Sequence, residues 1–399
     1  AFTNQAVDNM LKRLEREGFH DFVRLGHDRS VDDAIQHRLL KRLVEQKGAL
    51  QSAREILRNT PVVASTAATW SSDKYIPPVF NDNMDTTTSQ DEAGMHFDVA
   101  IIDEAGQLTM PAMLGALRFA RRFILVGDEK QLPPLVLSKE AALAGLSDSL
   151  FSILKRADEQ YVQQHSGAIS ACVPLKTQYR MNHWISHFAS NAFYNGELRA
   201  HPIVASRVLP FTTPRIGVTV EKASITQALD PYTPLVFIDA RNKPGMQEGS
   251  KTSNCEARTV REVVAGLLAR GIEESDIGII APYRAQVANL RRHLFSDDRE
   301  SGWRALSPTT PLSVDTVDRF QGGERSVIII SFATTVTPTA ESQLREHLTD
   351  PHRLNVALTR AQRKLILVGN AAALAALPIF QQLLTYCRDE RSIITHPWG

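Results

Sequence analysis

Asp98-Val99-Ala100-Ile101-Ile102-Asp103-Glu104-Ala105 is the stretch on which the fold turns. Its apolar residues run without side-to-side alternation, which predicts a strand buried on both faces inside a parallel α/β sheet. Such sheets bind ligands in the crevice beyond the carboxyl ends of their strands. Two adjacent acids at that end are costly to bury, and they suit a metal ion and a water. Beside this stands a plainer reading, in which the acid merely caps a following helix.

A second apolar run, Phe123-Ile124-Leu125-Val126, ends in Gly127-Asp128-Glu129-Lys130-Gln131-Leu132-Pro133-Pro134. Gly127 frees the backbone at a strand tip, and the prolines stop any helix. Gln131 is thereby fixed on a rigid loop, where an amide can sense a γ-phosphate; taken alone, the segment is a polar turn. Three further elements lie in the second half: Lys176-Thr177-Gln178-Tyr179-Arg180-Met181-Asn182, Val314–Glu324 before a strand at 326–332, and Arg353–Ala361 before a strand at 364–368. Two arginines from a second sheet, Arg180 and Arg360, suit phosphoryl transfer, because they neutralise charge developing on a γ-phosphate. Singly, each reads as a surface ion-pair partner.

In order and spacing these five elements resemble a superfamily 1 helicase of the branch that moves 5′ to 3′, from residue 1 to about 385. The wording is most similar to the eukaryotic replication helicase/nuclease family, in Thr3–Asn9, Arg122–Asp128, Gln131–Leu137, Ile279–Arg284 and Arg353–Ala357. The resemblance implies two tandem RecA-like parallel-sheet domains, the P-loop NTPase helicase core. It implies ATP and Mg²⁺ as cofactors, with Asp103 holding the metal, Glu104 polarising the attacking water, and Gln131, Arg180 and Arg360 completing the catalytic set. Gly127, Asp128, Tyr179, Gly322 and Glu324 are then expected at the nucleotide, Tyr179 against the adenine. Thr3, Asn4, Ala6, Ser65, Thr66, Pro282, Tyr283 and Thr316 are expected on the nucleic-acid strand, although each hydroxyl read alone is a helix cap. The implied activity is 5′-to-3′ translocation on single-stranded DNA in replication and repair. Single-strand-binding and replication or repair proteins are the implied partners, and the protein is expected to be a nuclear monomer. The alternatives are an RNA helicase of the nonsense-mediated-decay type, which would be cytoplasmic, and a degenerate clamp that does not hydrolyse ATP.

One departure stands out: the phosphate-cradling loop G-x-x-x-x-G-K-[ST] does not occur. Its nearest imitation, Gly245-Met246-Gln247-Glu248-Gly249-Ser250-Lys251-Thr252, has the lysine displaced by one and follows a second-domain strand, Leu235–Ala240. It reads as a loop leading to a capping box, Ser253 with Glu256, that opens a helix near Cys255–Arg270. The true loop is expected upstream of Ala1, so the first domain is read as N-terminally truncated and the chain as a fragment. Nothing in the sequence supports nuclease chemistry.

The chain has 399 residues, 43% of them hydrophobic, enough for two α/β domains. No apolar run approaches the ~20 residues needed to cross a bilayer. Three scattered cysteines exclude a disulfide framework or an iron–sulfur cluster, and His183 with His187 lacks further ligands for zinc. A net charge of +1 shows no broad basic face, so nucleic acid would be gripped by loops above the sheets. We expect domains at 1–166 and 172–399, with a hinge near 165–171 and a polar insertion at about 71–96. The runs at 62–66, 98–103 and 123–128 are expected to share the first sheet. Strands near 235–240, 277–281, 312–317, 326–332 and 364–369 should form the second. Val31, Ile35, Leu39 and Leu43 recur every four residues, which predicts one apolar helical stripe within a stalk at about 28–58.

Overall fold

The computed structural model describes residues 1–47, 51–72, 96–210, 222–241, 251–298, 303–307, 309–320, 323–334 and 347–396. The chain divides into unit 1, Ala1–Val173, and unit 2, Pro174–Gly399.

In unit 1, α1 (Asn4–Arg16) and β1 (Phe22–Arg24) are followed by α2 (Leu40–Lys47), α3 (Gln51–Asn59), β2 (Val62–Ala64) and α4 (Ala67–Trp70). Then come β3 (Phe97–Ile102), α5 (Met110–Leu117), β4 (Ala120–Leu125), a short α6 (Lys139–Ala141) and α7 (Leu150–Gln164). Unit 1 differs from the sequence expectation in two respects. First, the strands form two separate parallel pairs, β1 with β2 and β3 with β4. β3 is not buried on both faces: Ile101 is 63% exposed, and Ile124 beside it on β4 is 53% exposed. Burial of both faces needs covering layers on each side. Among the described residues, Ile102, Leu108 and Met113 make a core on one side only. Second, 28–58 is not one helical stripe. Val31, Ile35 and Leu39 pack together against Val7, Leu11 and Phe22, but from turns and short 3₁₀ segments, whereas Leu43 packs on Val23, Leu25 and Ile56. A four-residue recurrence can thus be satisfied by a chain that merely returns to the same core. The predicted insertion at 71–96 lies almost wholly outside the described residues.

A buried ion pair anchors α1. Arg24, fully buried, donates from Nε to Asp8 Oδ1 (2.8 Å) and from Nη2 to Asn4 Oδ1 (2.8 Å). Asp8 Oδ2 accepts the Asp32 amide at 3.0 Å. Removing one partner would strand a buried charge, a loss of about 3–5 kcal/mol.

Unit 2 carries a six-stranded sheet in the order β12-β7-β11-β10-β8-β9, parallel throughout. Its strands are β7 (Leu235–Ala240), β8 (Ile277–Ala281), β9 (Ser313–Thr316), β10 (Arg325–Ser331), β11 (Ala361–Gly369) and β12 (Ile393–His396), the last not anticipated from the sequence. A separate two-residue pairing joins β5 (Thr177–Gln178) to β6 (Arg199–Ala200). Helices α8 (His183–Phe193), α9 (Pro202–Ala205), α10 (Ala223–Ala228), α11 (Asn254–Ala269), α12 (Arg284–Phe295), α13 (Pro351–Leu358), α14 (Ala371–Leu374) and α15 (Pro378–Asp389) complete it. The continuous runs Ile277–Ala281 and Val327–Ile330 are buried, as a doubly covered parallel sheet requires.

Ser253 caps α11 as expected, its Oγ accepting from the Glu256 amide. The capping box does not close, however. The buried Glu256 carboxylate accepts from Ser331 Oγ and from the Ala333 and Thr334 amides, while the Ser253 N–H donates to Gln286 Oε1. A fully buried carboxylate needs several donors, and the end of β10 supplies three. No helix of the described residues is long and apolar enough to cross a membrane.

Lys364 on β11 is fully buried, with its amine donating to the Asp230 and Thr233 carbonyls at 2.7 Å each. Burial pushes its pKa down to about 7. Between that value and the ordinary lysine range the unfolded chain binds this proton and the folded chain does not, so stability rises with pH across that window. Urea melts at about pH 7.5 and 9.5 should therefore differ by about 2 kcal/mol more in the wild type than in Lys364→Met. Equal pH slopes in the two proteins would contradict a depressed lysine.

Candidate functional site

In unit 1 the chemistry-bearing residues gather at the carboxyl ends of β3 and β4. The Val126 amide donates to Ile102 O and the Ala105 amide to Val126 O, which zips the two strand exits together. The approach is close enough that a Cβ on Gly127 would lie 2.9 Å from the Gly106 nitrogen, so this position requires glycine. Asp103 Oδ1 accepts the Glu104 amide at 2.9 Å. Glu104 itself sits at φ 55, ψ 38, a left-handed conformation that costs a non-glycine residue free energy and concentrates at functional sites. Gln107, buried, donates from Nε2 to Glu104 Oε2 at 2.6 Å. The carboxylate is thus aimed by backbone strain and by a neighbour one 3₁₀ turn on. Mg²⁺ commonly takes one or two carboxylates and completes its octahedron with water and phosphate oxygens, and the half-buried Asp103 fits that role. On the next loop, Asp128 accepts the Lys130 amide at Oδ1 and Gln131 Nε2 at Oδ2, both at 2.9 Å. Gln131 is therefore held to the same corner.

In unit 2 a second group forms. Arg180 donates from Nε to Glu324 Oε2 (2.5 Å) and from Nη1 to the Thr359 carbonyl (3.1 Å). Gln362 Nε2 donates to the other Glu324 oxygen at 2.9 Å. The Arg180 backbone is pinned as well: Gln178 Oε1 accepts the amides of Arg180 (2.8 Å) and Met181 (2.7 Å). Arg360, next to Thr359, is buried and donates from Nε to Val356 O at 3.1 Å. Glu324, expected at the nucleotide, holds Arg180 and Gln362 with its carboxylate. Gly322 lies outside the described residues. Tyr179 is 62% exposed and stacks on His201.

The residues expected on a nucleic-acid strand occupy structured corners. Thr3 caps α1 by accepting the Ala6 amide, and Asn4 is held by Arg24. Ser65 is buried, with its hydroxyl donating to Leu25 O, and Thr66 caps α4. Pro282 is half-buried and follows β8. Tyr283 is buried against His347, its phenol pushed well above the usual range by desolvation. Thr316 is buried, and its carbonyl accepts the Arg319 and Phe320 amides. The hydroxyls of Thr3, Ser65 and Thr66 therefore have local partners. Sequence reading missed Gln107, Gln178, Gln362 and the Asp8–Arg24 pair. Gln107 and Gln178 had a signal, lying three residues after Glu104 and two before Arg180.

The chain belongs to the AAA-domain family: one AAA-domain model matches residues 146–372, and a second matches 49–139. It is similar to superfamily 1 helicases of the DNA2 type. It is 33% identical to the DNA replication ATP-dependent helicase/nuclease DNA2 of Bos taurus, over 100% of this chain and 35% of that protein. Identity is 32% to DNA replication ATP-dependent helicase/nuclease JHS1 of Arabidopsis thaliana, over 99% of this chain and 26% of that protein. The chain thus spans roughly a third or less of these curated relatives. Among solved structures, the complex of Arterivirus nonstructural protein 10 (helicase) with DNA is 13% identical, covers 94% of this chain and 54% of its own, and has a TM-score of 0.41.

Proposed function

We propose that the chain is the helicase part of an ATP-dependent enzyme that moves 5′ to 3′ on single-stranded DNA in replication and repair, within the nucleus. The observation that carries this reading is the strained Glu104 beside Asp103, oriented by Gln107 at a strand exit. Similarity along this chain to a part of proteins named as DNA replication helicase/nucleases supports DNA as the substrate.

Bound Mg²⁺ would supply charge neutralisation on the triphosphate, with Asp103 as its protein ligand. Glu104 takes the proton of the attacking water, and the Gln107 amide keeps its carboxylate on line. Gln131 reports the γ-phosphate. Arg180 and Arg360 offset the charge that develops during transfer. Tyr179 offers its exposed ring to the adenine. Thr3, Asn4 and Ala6 at the α1 N-terminus, the Ser65–Thr66 corner, and Pro282, Tyr283 and Thr316 are the candidate strand contacts. Backbone amides and small hydroxyls suit sugar–phosphate contacts that carry no sequence information.

The test is strand displacement by the full-length natural protein on duplexes with 5′ or 3′ single-stranded tails of DNA or RNA. The proposal expects displacement from 5′ DNA tails, falling steeply as salt is raised. Preference for RNA tails would transfer the reading to an RNA helicase. Binding without ATP turnover on any tail would transfer it to a clamp.

A further inference from the structure

Tyr179 and His201 lie one residue beyond the β5–β6 register, in which Gln178 faces Ala200. The His201 amide donates to Gln178 O at 2.9 Å, which prolongs the ladder and brings the two rings together. They stack with centroids 4.5 Å apart and planes at 25°. The imidazole is fixed from behind: Nδ1 accepts the Ile203 amide at 3.3 Å, so the ring caps α9. Tyr179 therefore has one face on a held ring while 62% of the residue stays exposed. Next to it in sequence stands Arg180, its guanidinium set by Glu324 and the Thr359 carbonyl. An exposed aromatic face one residue along the chain from a fixed guanidinium suits a ligand that pairs a planar base with phosphates.

We infer that His201 is a positioning residue for nucleotide binding, setting the plane of Tyr179 so that its outer face meets the purine base. This rests on the reading of Tyr179 as the adenine contact. His201 touches no ligand itself. It removes the rotamer freedom of an exposed tyrosine before the base arrives, a preorganisation effect.

The test compares ATP with inorganic tripolyphosphate, titrated calorimetrically against the full-length natural protein, because only ATP carries the base. His201→Ala should weaken ATP about threefold to tenfold and leave tripolyphosphate unchanged, the scale of one aromatic stack. His201→Phe keeps a stacking ring while losing the cap, and should recover ATP affinity to within about twofold. Equal weakening of both ligands, or no recovery with phenylalanine, would make His201 merely structural and overturn the inference. Tyr179→Ala separates the two claims. If it weakens ATP while His201→Ala does not, the inference falls and the adenine contact stands. If neither variant changes ATP affinity, both fall.

Discussion

Arg180→Ala is expected to slow ATP hydrolysis by ~10³-fold or more in the full-length natural protein, the scale of a missing arginine finger. Stability should hardly move. The side chain is about a third exposed and its partner Glu324 somewhat more, so the ion pair between them contributes at most about 1 kcal/mol. The fold around it survives, because Gln178 pins the backbone of this turn without help from the guanidinium. Arg180→Lys keeps the charge but loses the fork that reaches Glu324 and Thr359 O together, so it should recover only part of the rate. Arg360 offers a useful contrast. Being buried, Arg360→Ala should lower the melting temperature as well as the rate, whereas Arg180→Ala should lower the rate alone. Steady-state turnover beside a thermal melt checks both. Unchanged turnover in Arg180→Ala would remove it from the catalytic set.

Glu104→Gln is expected to leave ATP binding intact and to cut hydrolysis by ~10²–10⁴-fold, the loss of a general base. Glutamine has the same length, and its oxygen can still accept from Gln107, so the left-handed turn at φ 55 keeps its support. Only the proton acceptor disappears. Equilibrium nucleotide binding and single-turnover hydrolysis separate the two effects. Normal turnover in this variant would sink the assignment of the base.

Much of this was readable from sequence because certain residues had only one physical option. Ile277–Ala281 and Val327–Ile330 carry no polar alternation, and they are central strands of a doubly covered sheet. The acids at 103–104 and the glycine at 127 mark strand exits wherever those strands pair. Unit 1 was less readable. β1 has three residues, too few to show a period, and Arg24 within it reads as a surface cation until tertiary pairing places Asp8 and Asn4 around it. Val31, Ile35 and Leu39 have helical spacing but meet one core through turns. The supports of Arg180 were equally hidden. Glu324 and Gln362 lie far along the chain from it and meet it only because the fold closes. His201 reaches Tyr179 through a two-residue strand pairing that no local pattern announces.

The central claim is that the Asp103–Glu104 corner hydrolyses ATP in response to a bound strand. Its most direct test is steady-state ATP turnover by the full-length natural protein with Mg²⁺, measured as single-stranded DNA is titrated in. Turnover is expected to rise severalfold or more with DNA and to decline as salt displaces the strand. Turnover absent at every DNA concentration, in protein that still binds the strand, would contradict it.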